Sequence, residues 1–183
     1  RRSVPFNCNL ERLATLVPGY QRHNDCVATG RFPDGIGYIA INSWGGGCTD
    51  ALEPAYAAIG ECGDCRGLII DVRTNAGGDE SLAGRLAGCF VDKPVVYARH
   101  VFRDPAAAGG FTVPSERTLG PNKSRPSFRG KVAVLIGRHV MSSCEAFVLM
   151  MKQVAGCKVV GEPTYGASGN PKPHSLPNGV VVY

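Results

Sequence analysis

The feature that most constrains this chain is a pair of apolar runs that each end in a sharp corner. Leu68-Ile69-Ile70-Asp71-Val72 passes into Asn75-Ala76-Gly77-Gly78, and Val132-Ala133-Val134-Leu135-Ile136 passes into Gly137-Arg138-His139-Val140-Met141-Ser142-Ser143. Near-continuous apolar runs of this length read as strands covered on both faces, which belong in parallel sheets. Each corner is followed by a helical period. Leu82, Leu86 and Phe90 recur at four-residue spacing after a start near Asp79, and Phe147, Met150 and Val154 share one side of a helix expected over 142–155. Strand, glycine or serine corner, helix, repeated without an internal repeat, means an α/β layer architecture.

Other elements fit around these. Gly37-Tyr38-Ile39-Ala40-Ile41-Asn42 reads as a buried strand that stops at Gly45-Gly46-Gly47. Asp50 and Glu53 have capping-box spacing before Leu52, Tyr56 and Ile59, which predicts a helix over 50–59 with Pro54 in its first turn. Pro94–Val101 reads as a strand, and residues 103–130 as a long loop rich in Pro, Gly and polar groups. Val159-Val160 and Val180-Val181-Val182 read as short strands flanking a Gly/Pro loop over 163–179. Residues 1–34 read as a lead-in, with one helical turn over Asn9–Leu13, and residues 35–183 as the core domain.

Composition narrows the partners. With 44% hydrophobic and 19% charged residues, 183 residues can bury a substantial core, which excludes wholesale disorder. The net charge of +5 comes from 20 scattered Lys and Arg without basic runs interleaved with aromatics, so nucleic acid is not an expected partner. No apolar stretch approaches the roughly 18 residues of a membrane-spanning helix, and no signal-like apolar run follows the basic start at Arg1 and Arg2. Eight cysteines are many for this length. Only Cys62-Gly63-Asp64-Cys65 has metal-ligand spacing, and no second Cys or His pair complements it. Disulfides or free thiols therefore fit better than zinc.

The two corners carry the chemistry. Paired glycines before a helix let backbone N–H groups approach an anion, either a phosphate or the oxyanion of acyl transfer. The absence of Gly-Lys-Ser/Thr disfavours a P-loop, while a simple tight turn explains the pair equally well. Helix capping likewise explains Ser142 or Ser143. The functional alternative places a nucleophilic hydroxyl at the positive end of a helix, beside the glycine amides.

Taken in order, Gly-Tyr-Ile-x-Ile, Gly-Leu-Ile-Ile-Asp-Val-Arg-x-Asn-x-Gly-Gly, strand-Ser-x-x-Glu and Val-Val-Gly-Glu-Pro-Thr-Tyr-Gly resemble the tail-specific, or C-terminal processing, serine peptidases and their tricorn-protease relatives. The resemblance runs from about residue 35 to the end. It implies a ClpP/crotonase-like β-β-α core, a protein or peptide substrate cleaved near its C-terminus, no metal or cofactor, and an extracytoplasmic (periplasmic or secreted) setting. It implies Ser142 as nucleophile, with the amides of Gly78 and Ser143, assisted by Gly77, as oxyanion donors. Glu145 is expected to hold the nucleophile helix rather than act as an acid, and Cys144 to pack rather than attack.

The resemblance breaks at the base. The family's lysine position after Thr164-Tyr165-Gly166 is Ala167, and the tricorn-type histidine position is Ala40. Lys172, His23 and His174 are the substitute candidates, with His139 further off and His100 read as structural; lysine and histidine can both be tuned to titrate near neutrality. A second explanation is that the core is truncated at its C-terminal end. A third is a peptide-binding pseudopeptidase. A crotonase-like acyl-CoA enzyme, which needs an oxyanion hole but no serine, is the remaining rival. Oligomeric state is not legible.

Overall fold

The computed structural model describes residues 10–169 and 172–182. The elements in chain order are α1 (Leu10–Leu16), β1 (Gln21–Arg22), β2 (Val27–Arg31), β3 (Ile36–Ile41), α2 (Glu53–Glu61), β4 (Gly67–Asp71), α3 (Glu80–Ala87), β5 (Val95–His100), β6 (Ser115–Leu119), β7 (Lys131–Ile136), α4 (Ser143–Met151), β8 (Lys158–Gly161), β9 (His174–Ser175) and β10 (Val181–Val182). The main sheet runs β1-β2-β3-β4-β7-β8. β1, β2 and β3 pair antiparallel, whereas β3, β4, β7 and β8 are all parallel.

Side chains along the strands alternate between two faces, as the two-residue period requires. Ile39, Ile41, Leu68, Ile70, Val132 and Val134 point into one core, which is shared with buried residues of α2, α3 and α4. Tyr38 and Ala40 point to the other face and pack with Val17 and Ala28. On that face the buried Asp71 carboxylate accepts the Tyr38 hydroxyl at 2.7 Å and the Arg73 guanidinium at 2.9 and 2.6 Å. The buried charge is thereby paired and hydrogen-bonded, as burial demands. Burial and the neighbouring Asp71 charge both push the Tyr38 phenol up, so it stays protonated as a donor.

Several expectations need correction. Residues 21–31, read as lead-in, contribute two strands to the main sheet. The helix expected from Asp50 begins as a 3-10 turn over Asp50–Leu52, and α2 has Leu52 at its N-cap with no side-chain cap. The capping box fails because Glu53 is drawn away to Arg125, which donates to both its carboxylate oxygens. The expected loop over 103–130 contains β6, which pairs antiparallel with β5. α4 stops at Met151, and turns carry the chain on to Val154, which is still buried. Val181-Val182 forms the short strand expected there, and the preceding loop itself holds a strand, His174-Ser175, with which it pairs in an exposed hairpin. Of the turn expected at Asn9–Leu13, Asn9 lies outside the described residues, and the rest belongs to α1.

The cysteines resolve as disulfides between Cys26 and Cys48 and between Cys62 and Cys65, with Cys89, Cys144 and Cys157 as free thiols. Cys8 lies outside the described residues. Among the described residues no group of three or more His, Cys, Asp or Glu side chains is placed to hold a metal, and no helix is long and apolar enough to cross a membrane.

Candidate active site

β4 and β7 are neighbours in the sheet and run the same way, so their C-terminal corners emerge side by side. This is where parallel α/β sheets place ligand sites. The two corners touch. A Cβ added to Gly77 would lie 2.8 Å from Ser142 Cβ, 2.9 Å from the Met141 carbonyl oxygen and 3.1 Å from the Ser143 nitrogen. Gly77 also has φ of +102°, and Gly78 has +136°, conformations that side-chain-bearing residues rarely adopt. A Cβ on Gly78 would run into the Trp44 backbone.

Three residues, Asn75, Trp44 and Asp79, fix the glycine corner. The buried Asn75 accepts the Gly77 N–H on Oδ1 at 2.8 Å and donates through Nδ2 to the Ile41 carbonyl at 3.1 Å. Trp44 bridges to Gly78 as a short parallel pairing, donating to the Gly77 carbonyl at 3.0 Å and accepting from the Asp79 N–H at 2.6 Å. Asp79 then caps α3 by accepting the Ser81 N–H at 2.7 Å. With both neighbours committed in this way, the Gly78 N–H has no partner among the described residues.

Ser142 is the feature that sets the serine corner apart. It has φ 54° and ψ −129°, and it is the non-glycine residue with positive φ among the described residues. Backbone held in such a region costs about 1–3 kcal/mol and persists only where its surroundings force it. Here the Ser142 N–H donates to the Ala167 carbonyl at 2.7 Å, and its own carbonyl accepts from Glu145 at 2.9 Å and Ala146 at 3.3 Å. Its hydroxyl makes no hydrogen bond among the described residues, and it does not cap α4. Ser143 differs: its hydroxyl donates to the Gly78 carbonyl at 2.6 Å, tying α4 to the glycine corner. The Ser143 N–H opens α4 and is unpartnered among the described residues. Ser142 thus combines a strained backbone with a hydroxyl uncommitted among the described residues, at a corner that touches the glycine turn carrying the Gly78 N–H.

Glu145 holds the third side. Its carboxylate accepts the Thr164 hydroxyl at 2.6 Å, the Gly166 N–H at 2.7 Å and the Ser168 hydroxyl at 2.7 Å. Burial alone would raise its pKa, but the hydrogen bonds from Thr164, Ser168, Gly166 and Ala167 outweigh burial and hold it below the usual carboxylate range. An ionised group saturated with donors is a clamp and not an acid. Cys144 is fully buried, and burial pushes its thiol up to about 12, so it packs as an inert thiol.

The structure therefore brings Ser142, Ser143, Gly77 and Gly78 together, but the Gly77 N–H is taken by Asn75 and is not free for a ligand. It does not hydrogen-bond any base candidate to Ser142. His23 Nε2 pairs with Thr29 Oγ1 at 2.7 Å beside β1, His174 lies in the exposed β9–β10 hairpin, and Lys172 is exposed. His100 contacts Arg117 at 3.0 Å on the β5–β6 hairpin. Sequence reasoning missed the roles of Asn75 and Trp44. Asn two residues before a glycine is an Asx-turn signal that could have flagged the first.

The chain is similar in sequence and in fold to known peptidases. The tail-specific protease of Haemophilus influenzae is 26% identical over 167 residues, which is 88% of this chain and 22% of that protein. A candidate peptidase from Parabacteroides merdae superposes with a TM-score of 0.78 at 29% identity, covering 92% of this chain and 52% of that one. The photosystem II D1 C-terminal processing protease shares the fold, with a TM-score of 0.57 at 19% identity over 89% of this chain and 39% of its own. The chain spans about a fifth of the first relative and about half of the second. The profile of peptidase family S41 matches residues 35–183, and the chain belongs to that family of serine peptidases.

Proposed function

We propose that this chain is a serine peptidase domain acting on protein or peptide C-termini, with Ser142 as nucleophile. The observation that carries the reading is the strained Ser142 backbone, with a hydroxyl uncommitted among the described residues, at a corner touching the glycine turn, where the Gly78 and Ser143 N–H groups have no partner among the described residues. Ser142 Oγ adds to the scissile carbonyl carbon while its proton passes to a base. The new oxyanion is held by the Gly78 and Ser143 amides, which are fixed in advance by Trp44 and by α4. Collapse expels the amine with a proton, and water then releases the acyl group. Lys172, His23 and His174 are the candidate bases. An extracytoplasmic setting is supported by the two disulfides. Membership of a peptidase family leaves the acyl-CoA reading without support.

A second reading is favoured by Ala167 and Ala40, which occupy both positions where the resemblance expects a base. In it, the same site binds peptides without cleaving them. Intact-mass measurement after incubation with a fluorophosphonate separates the two. The peptidase reading expects one adduct on the unmodified protein, none on Ser142→Ala, and loss of the adduct in whichever of Lys172→Ala, His23→Ala or His174→Ala removes the base. An unlabelled protein that still binds C-terminal peptides selects the pseudopeptidase.

A further inference from the structure

α3 leads away from the glycine corner beneath the β5–β6 hairpin, and between them lies a cavity of about 510 Å³. That volume is within the range of ligand pockets. Its wall includes Glu80, Ser81 and Arg85 of α3, Tyr97 of β5, Arg117 of β6 and Met150 of α4. The charges are unevenly committed. Glu80 is satisfied, since it accepts the Tyr97 hydroxyl and pairs with Arg117. Arg117 also contacts His100 Nε2 and lies 5.5 Å over the Tyr97 ring. Arg85 differs: among the described residues its guanidinium has no hydrogen bond and no ion pair. Asp79, the other carboxylate near Arg85, is capping α3 and does not line the cavity. With Glu80 balanced by Arg117, the cavity is left with the one positive charge of Arg85.

We infer that this cavity is a specificity pocket that takes a carboxylate of the bound peptide, either an acidic side chain or the free C-terminus, with Arg85 as its counter-ion. The inference rests on the peptidase reading for the class of ligand. Gly78 lies two residues before the first residue of α3, Glu80, and Arg85 lies five residues into the helix from Glu80. Two non-helical steps of up to about 3.3 Å and five helical rises of about 1.5 Å bring the span to at most about 14 Å, the reach of about four extended peptide residues. A peptide whose carbonyl sits against the Gly78 amide and which runs along α3 therefore presents a group up to about four residues away to the Arg85 guanidinium. A planar fork of donors suits a carboxylate there.

The test measures binding to Ser142→Ala protein, so that turnover plays no part. The probes are fluorescein-labelled alanine-rich peptides carrying one glutamate or one glutamine, each with a free or an amidated C-terminus, read by anisotropy. Expected is about tenfold tighter binding of the glutamate or free-acid peptide over its neutral counterpart, in line with a charge-assisted hydrogen bond. Arg85→Gln should abolish that preference without weakening the neutral peptides, and Arg85→Lys should restore part of it. Arg85 is exposed, so these variants keep the fold. A preference that follows glutamate assigns a side chain, and one that follows the free terminus assigns the tail. Equal or absent binding, or a preference that survives Arg85→Gln, overturns the inference. Failure of fluorophosphonate labelling with the preference intact would sink the peptidase reading alone.

Discussion

The backbone N–H of Ser142 donates to the carbonyl of Ala167 at 2.7 Å, so the residue at the expected lysine position is bonded directly to the proposed nucleophile. This makes the missing base a local question. A lysine introduced at 167 starts from a main chain already tied to Ser142, and its four-carbon stem can bring the amine to the hydroxyl. Ala167 is half-buried, which favours a neutral amine. Ala167→Lys is expected to raise the rate of fluorophosphonate labelling by about two orders of magnitude, the usual contribution of a positioned base. Unchanged labelling means that the substitution does not supply a working base and that the base lies elsewhere.

Glu145 joins the loop over 164–168 to α4, and therefore joins Ala167 to Ser142. Glu145→Gln keeps the shape but replaces an acceptor-only group with one that must donate on one side. It is expected to cost about 1–3 kcal/mol and to slow labelling of Ser142 without abolishing it. The pH dependence has a definite sign. The folded-state pKa of Glu145 lies below its ordinary value, so the clamp contributes fully above the ordinary carboxylate range and is lost as pH falls through the depressed value. Thermal melts in acid should show a fall in Tm that is smaller in Glu145→Gln. Equal acid sensitivity in both proteins counts against the clamp.

Gly77 and Gly78 predict a graded pair. Gly77→Ala meets the Ser142 Cβ at 2.8 Å and must also hold φ of +102°. The expected result is a folded protein, destabilised by about 1–3 kcal/mol, in which Ser142 is displaced and labelling is lost. Gly78→Ala drives its Cβ into the Trp44 backbone, which cannot yield without breaking the pairing that aims the Gly78 amide. It should be the more destabilising of the two by denaturant melts. The reverse order would show that the corner is not held by Trp44.

The parts of this fold legible in the sequence are those written in local pattern, either near-continuous apolar runs or a capped amphipathic period. β3, β4 and β7 announce themselves because both faces are covered, and α3 because Asp79 caps it and Leu82 and Leu86 share its buried side. β6 was not legible, because Ser-Glu-Arg-Thr-Leu gains its place from ion pairs of Glu116 with Arg99 and of Arg117 with Glu80, partners remote in sequence. Local spacing cannot reveal that Glu53 prefers Arg125 to its own helix terminus. At the site, Ser142 and Ser143 are alike as adjacent serines. What distinguishes them is a contact across 65 residues, Ser143 to Gly78, and a strained dihedral enforced by Ala167. The resemblance could name Ser142, but physical reasoning on the sequence alone had no term for either effect.

The two disulfides should prove unequal. Cys26–Cys48 closes a separation of 22 residues and ties the start of β2 to the turn just after Trp44, the residue that aims the Gly78 amide. Loop-closure entropy assigns such a link about 3 kcal/mol, against about 2 kcal/mol for the short Cys62–Cys65 loop. Replacing Cys26 and Cys48 together by serine is expected to lower stability by more than the matching Cys62 and Cys65 pair, and to slow Ser142 labelling as well. The second effect follows from position, since freeing the Cys48 end loosens the segment that pairs with Gly78. Cys62 and Cys65 sit between α2 and β4, at the end of the parallel strands opposite the site, so their loss should leave the labelling rate unchanged. Denaturant melts and labelling kinetics on the two double variants, with and without reductant, check both statements. Equal labelling rates in the two variants would detach the Cys26–Cys48 link from the site.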